Sequence, residues 1–429
     1  MSKIKYPTLD LFVYNLAEVL ASKIEDYWVT LPDKLKEKGY STKINDEDLQ
    51  RLHFWNTISA AVQGFYSRVN FEDTNCLRYC CSIDDKKIEL SEIGLNITQI
   101  KDLAILPEVE DLPTWRLSDN GYLGQTWMIS GWTDSANTPI SESIAHEAYK
   151  ALIGQEHQYK QVGEFLGATV YEMWRGEGRW DGIAKDSHVI IIFYPDEATF
   201  AKAAKYNNDW RYLFYCRHKI LWAYEQGREL KLRLLEKYKH SLIDINSISN
   251  LSKKGLQELK SELQKNINTV SRYVQEINLL QTQQHTVEVN WRNYENKRCK
   301  EDFFKNEKFI EEFSKIVKDK YQVQLEKDYL SLNPGLVILE NVTATIRGMV
   351  EIEEAQRDRN LNNTVAIAGV GLATSQIASS IIVAQETPPQ DIPFFQTNAF
   401  WSSLTTGIVA SLLLWSILRL YRLISRFRR

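Results

Sequence analysis

The sequence predicts an α/β N-terminal cytoplasmic domain, then a long α-helical stalk or coiled-coil region, then a C-terminal two-helix transmembrane hairpin. Three observations predict it. Short aromatic and β-branched runs alternate with helical stripes over residues 1–200. Gly and Pro then nearly vanish, and apolar residues recur at steps of three and four. Last, two charge-free stretches near the C-terminus flank a short Pro-rich loop.

The composition is that of a globular protein: 429 residues, 44% hydrophobic and 25% charged. These values exclude a disordered, collagen-like or disulfide-scaffold chain. The net charge of −4 is unevenly placed. Residues 361–429 hold five Arg and two acids, and residues 1–360 hold 47 basic and 54 acidic residues. An acidic body gives no basic footprint, so nucleic-acid binding is not expected. A mean hydropathy of −0.36 averages this polar body with an apolar end.

In residues 1–200, spacing predicts a helix over 9–24 (Leu11, Val13, Leu16, Val19, Leu20). A second is predicted over 46–69, capped by Asn45 and striped by Leu49, Leu52, Trp55, Ile58 and Val62. Strands are expected at 78–83 and 87–90, flanking a hairpin-like Asp84-Asp85, and at 122–132, 165–174 and 189–194. A helix over 141–158 separates two of these groups. The first 28 residues carry Asp10, Glu18, Glu25 and Asp26, which leaves no apolar run for a secretory signal.

Residues 201–332 read as long helices. One runs over 210–242. The next is striped by Leu256, Leu259, Leu263, Ile267, Val270, Val274, Ile277 and Leu280 and extended by Val287, Trp291 and Tyr294. Its mostly heptad-like steps suit a coiled coil roughly 58 Å long. A further helix spans 302–332. Asn333-Pro334-Gly335 is expected to break the chain before a stalk helix over 336–360.

Residues 361–385 and 399–418 are the expected spans, and 386–398 the outer loop. Phe394, Phe395, Phe400 and Trp401 suit an interface belt. The loop has two acids and no base, whereas the tail 419–429 carries Arg419, Arg422, Arg426, Arg428 and Arg429. The positive-inside bias puts both termini in the cytoplasm of a two-span protein of the cell inner or plasma membrane. Thr364, Ala368, Gly371, Ser375 and Ser379 share one face of the first span. Two readings stay open: close helix–helix packing through small residues, or the lining of a water-filled pore with Asn360, Asn362 and Asn363 at its mouth.

Other motifs carry less. Cys76, Cys80, Cys81, Cys216 and Cys299 form no C-x-x-C pair, and the first three lie on a strand whose faces would separate them. His146-Glu147 and Glu156-His157 do not form the zinc motif and read as two surface pairs. Arg175-Gly-Glu-Gly-Arg179 reads as a hairpin turn. His218 reads as a satisfied helix histidine, with the alternative that the basic cluster around it meets an anionic ligand. Ser143, His146 and Asp196 make no supported triad. Glu351, Glu353, Glu354 and Asp358 could hold a divalent cation between subunits, or simply form a solvated stalk face. No constellation supports an enzyme.

The order of α/β domain, long helices, stalk helix entering a first span, short outer loop, second span and basic tail resembles the CorA-type magnesium channel family. Arg359-Asn360-Leu361-Asn362-Asn363-Thr364 sits where that family has a polar, Asn-containing mouth to its pore helix. The resemblance covers residues 336–429 in detail and the remainder in layout. It implies a homo-oligomer, a pentamer in that family, with a cytoplasmic sensor domain gating an ion-conducting pore in the lipid bilayer. It departs at one point. Val383-Ala384-Gln385 stands where the family carries Gly-Met-Asn, and Gly348-Met349-Val350 is on the wrong side of the span. Magnesium selection is therefore not implied. The alternative is a ligand-activated membrane effector, permeabilising or signalling, that reuses the architecture for an unidentified cytoplasmic ligand.

Overall fold

The computed structural model describes residues 3–44, 50–56, 62–83, 88–89, 93–105, 121–133, 142–175, 187–251, 255–300, 310–385 and 397–427. It divides into two compact units. One comprises Met1–His240 with Arg272–Leu336, the other Ser241–Ser271 with Val337–Arg429.

The first unit is built on a mixed sheet. Its strands are β1 (Lys3–Leu16), β2 (Tyr40–Ile44), β3 (Arg51–Asn56), β4 (Val62–Phe71), β5 (Thr74–Ile83), β6 (Ile88–Glu89), β7 (Tyr122–Thr133), β8 (Tyr159–Phe165), β9 (Ala168–Trp174) and β10 (His188–Tyr194). They lie in the order β2-β3-β4-β5-β1-β7-β10-β9-β8, with β6 also on β1. The β7–β10 pair is parallel and the other pairs are antiparallel.

Helices cover both faces of this sheet. Leu9, Leu11 and Val13 of β1 join a core with Tyr27, Trp28 and Leu31 of α1 (Ala17–Glu37), Ile97 of α2 (Ile93–Leu103) and Tyr149 of α3 (Glu142–Ile153). On the other face, Phe12 meets Phe214 of α5 (Asn207–Leu251) edge-on at 5.4 Å, and Tyr14 Oη donates to the Arg211 carbonyl at 2.7 Å. A short α4 (Glu197–Ala203) precedes α5.

Four expectations over this region are corrected. Residues 9–16 belong to β1, and helix begins only at Ala17. A central strand covered on both faces is apolar on both, so it offers helical spacings without being a helix. Residues 51–56 and 62–71 form β3 and β4 rather than one helix, and 45–49 and 57–61 lie outside the described residues. Leu52 and Phe54 face the core at the strand period of two. The strands at 78–83 and 88–89 are not hairpin partners, since β6 pairs with β1. Residues 159–174 make two strands, β8 and β9, turning through Leu166 (φ 51°) and Gly167 (φ 77°).

The long helices follow in both units: α5, α6 (Leu256–Lys300), α7 (Glu311–Ile316), a π-helical turn (Val317–Gln322), α8 (Val323–Gln385) and α9 (Asn398–Phe427). The expected break at Asn333-Pro334-Gly335 is corrected, because α8 runs through Pro334 and the stalk 336–360 is part of it. Packing overrides the local signal here. Tyr273 of α6 donates its hydroxyl to the Leu332 carbonyl at 2.7 Å. A Cβ at Gly335 would meet the Tyr273 hydroxyl at 2.5 Å, so the glycine admits that ring rather than ending the helix.

In the second unit, Leu259 of α6 packs with Val342, Ile346 and Val350 of α8. Farther along, α8 meets α9 through small residues: a Cβ at Gly407 would stand 2.8 Å from the Gly371 carbonyl oxygen and 3.0 Å from Ser375 Cβ. Among the described residues, one helical segment, Phe400–Leu420, is long and apolar enough to cross a membrane. Residues 361–385 of α8 are less lipophilic because they carry Asn362, Asn363, Thr364, Thr374, Ser375 and Gln376.

Candidate functional site

A cavity of about 450 Å³ opens on the face of the sheet that α4 and α5 cover. This volume suits a small molecule. Its floor is β1, β5 and β7, which present Thr8, Asp10, Arg78, Ser82, Met128 and Ser130. Phe65 and Trp55 line it from β4 and β3, and Phe200 and Trp210 from α4 and α5. Aromatic surfaces around a few fixed polar groups are the usual make-up of a ligand pocket.

Asp10 and Arg78 stand on adjacent strands, with side chains 5% and 7% exposed. Arg78 donates to Asp10 Oδ1 from Nε at 2.9 Å and from Nη2 at 2.8 Å. The guanidinium also lies over the rings of Phe12 and Phe65, at 5.2 and 5.1 Å. Burial is the largest influence and works against its charge, but the charge and hydrogen bond of Asp10, with the nearby Cys80 and Cys76, together outweigh it and hold its pKa above the ordinary arginine value. The nearby Cys80 thiol is pushed well up, first by burial and then by Asp10, which makes it a poor nucleophile.

The cavity rim carries backbone strain. Tyr6 has φ 53° although it precedes Pro7, a position that favours extended backbone. It sits at a register shift between β1 and β7. Its ring stacks on Trp132 at 5.4 Å and meets Phe200 at 5.9 Å, and its hydroxyl accepts from Gln63 Nε2 at 2.7 Å. Strain of this kind, held by packing, is a feature of ligand sites.

Beside the cavity, a buried polar chain crosses the sheet. Thr126 Oγ1 lies 2.8 Å from both His188 Nδ1 and His218 Nε2, and His188 Nε2 lies 3.0 Å from Glu172 Oε1. One hydroxyl has one proton, which sets the direction. His188 donates from Nε2 to Glu172, so its Nδ1 accepts from Thr126, whose oxygen accepts from His218 Nε2–H. Burial is the first cause that holds both histidines well below the ordinary imidazole pKa, and the nearby Arg217 adds to it.

The predicted residues are placed as follows. His218 is a satisfied buried histidine, and Arg217 and Lys219 beside it are buried too. Asp196 caps α4 by accepting from the Thr199 N–H at 2.7 Å, so it serves no triad. Cys76, Cys81 and Cys216 are buried, and burial pushes their thiols up to about 12. Gly371 and Ser375 meet α9, while Asn360, Thr364 and Ala368 are exposed and Asn363 is half-buried. Glu351 and Asp358 are exposed, and Glu354 is paired with Lys260 at 2.6 Å. Arg419 lies over Trp415 at 4.9 Å. The Ser379, Arg422 and Arg426 side chains, and Arg428, Arg429 and residues 176–179, lie outside the described residues.

Sequence reasoning missed the cavity. Its signal was a charge inside an apolar strand, Asp10 within Leu9–Phe12 and Arg78 within Leu77–Tyr79, each a sign of pairing across a sheet. No family profile, curated protein or solved structure matches the chain.

Proposed function

We propose that the chain is an integral membrane protein whose cytoplasmic sheet domain binds a small molecule in the cavity and governs a homo-oligomeric, two-span membrane module. The segment Phe400–Leu420 carries this reading: it spans 21 residues and only 11% of its most apolar stretch is buried, unlike the core helix of a soluble domain. Close approach at Gly371 and Gly407 supports residues 361–385 as a second span packed antiparallel to it. The Arg residues after the last span support cytoplasmic termini. Helices α5, α6 and α8 each contribute residues to both compact units, a route by which ligand binding can bias the membrane end.

The first form of this function is a CorA-like ion-conducting pore. The second is an effector that permeabilises the membrane, and the Val383-Ala384-Gln385 sequence favours it by lacking the Gly-Met-Asn signature. Full-length protein in liposomes separates them. Potassium or magnesium flux with retention of a trapped dye such as calcein supports conduction, and calcein release supports the effector. Protein that is washed from membranes by carbonate, or that gives neither flux nor release, would sink the membrane-module reading.

A further inference from the structure

Apart from the cavity lining, beside α3, the fold joins two pairs that the sequence keeps ten residues apart. His146 projects from α3. Glu156 and His157 follow after the chain turns at Gly154, whose φ of 78° needs no side chain. His146 Nδ1 and His157 Nδ1 stand 3.2 Å apart. The Glu156 carboxylate lies 2.7 Å from His146 Nε2 and 2.8 Å from Lys150 Nζ. One donor atom from each of the three residues falls within 4.8 Å of the others.

We propose that His146, Glu156 and His157 form a binding site for a first-row transition metal of the zinc class. Two imidazole nitrogens 3.2 Å apart match the edge of a tetrahedral site with metal–nitrogen bonds of about 2.0–2.1 Å. Two nitrogens and one carboxylate favour zinc, cobalt, nickel or copper over magnesium or calcium, which take oxygen ligands. The His157 ring is fixed edge-on against buried Tyr149 at 5.8 Å. His146 is 38% and Glu156 53% exposed, so an ion reaches the site from solvent and a water can complete the shell. With His146 bound through Nδ1, Glu156 engages by giving up its contacts to both His146 Nε2 and Lys150 and swinging one carboxylate oxygen to the metal. The bound ion would clip the start of β8 to α3.

The test uses the full chain in detergent, stripped with a chelator and titrated with zinc sulfate against a chromophoric zinc indicator. One equivalent per chain is expected, with affinity at least tenfold weaker in His146→Ala and in His157→Ala and weaker also in Glu156→Gln. Cobalt should give the strong visible absorption of a tetrahedral site in the wild type and lose it in His157→Ala. Circular dichroism checks each variant, and if His146→Ala fails to fold, His157→Gln carries the comparison. No saturable zinc binding, or binding of equal strength in the histidine variants, would overturn the assignment.

Discussion

Arg78 places two of its N–H groups on one oxygen of Asp10, and both side chains are almost wholly buried in the floor of the cavity. Charges out of water are tolerated when each has the other, and removing one leaves the second uncompensated. Arg78→Met should therefore destabilise the sheet domain by about 3–5 kcal/mol. The double variant Asp10→Asn, Arg78→Met should lose clearly less than the sum of the single losses. Urea unfolding followed by tryptophan fluorescence reads this cycle, and additive losses would show that the two do not act as a pair.

The chain of Thr126, His188 and His218 makes a pH prediction. Both histidines are buried neutral, with pKa values well below the ordinary one. The unfolded chain takes up their protons near pH 6.5 and the folded chain does not. Their contribution to stability is therefore complete above about pH 6.5 and falls as pH drops below it, by roughly 1.4 kcal/mol per pH unit for each proton. Unfolding free energies measured from pH 7.5 to 5 should show this slope, and His218→Gln should flatten it by about one proton. An unchanged slope in that variant would reject the assignment.

Gly335 and Tyr273 interlock where α8 passes its proline. Gly335→Ala puts a methyl 2.5 Å from the Tyr273 hydroxyl position and 3.1 Å from Cζ. Overpacking of this kind costs about 1–3 kcal/mol. Tyr273→Phe removes the nearest atom, so the double variant should lose less than the two single changes together. A melting-temperature series on the four proteins checks this, and a neutral Gly335→Ala would count against the close approach.

The same residues explain what could be read in advance. The helices α5 and α6 were legible because sustained steps of three and four over dozens of residues have no strand alternative. Strands β7 and β10 were legible as aromatic and β-branched runs. The errors fell where a tertiary partner set the outcome. Strand β1 looks helical because Leu9, Leu11 and Val13 bury one face while Phe12 and Tyr14 bury the other. Pro334 looks like a stop because nothing local announces Tyr273, 61 residues earlier. The cavity is harder still, since its walls come from six strands and two helices, and only Asp10 and Arg78 marked it as charges out of place.

The small-residue face of α8 admits a decision between packing and pore. Gly371 and Ser375 meet α9, whereas Thr364 and Ala368 stand exposed on the same helix. If the face were for packing alone, bulk at Gly371 should part the helices and bulk at Ala368 should change nothing. If its exposed part lines a pore in a ring of subunits, Ala368→Leu should block flux while the helix pair stays joined. Pairing can be read with a short bifunctional thiol cross-linker between Ile367→Cys and Ser411→Cys, since these residues meet across α8 and α9, the Ser411 hydroxyl lying 3.4 Å from the Ile367 carbonyl. We expect Gly371→Leu to lose the cross-link and the flux together. On the pore reading, Ala368→Leu keeps the cross-link and loses the flux. Retained flux in Ala368→Leu would leave the face as a packing surface and remove the main structural support for conduction along α8.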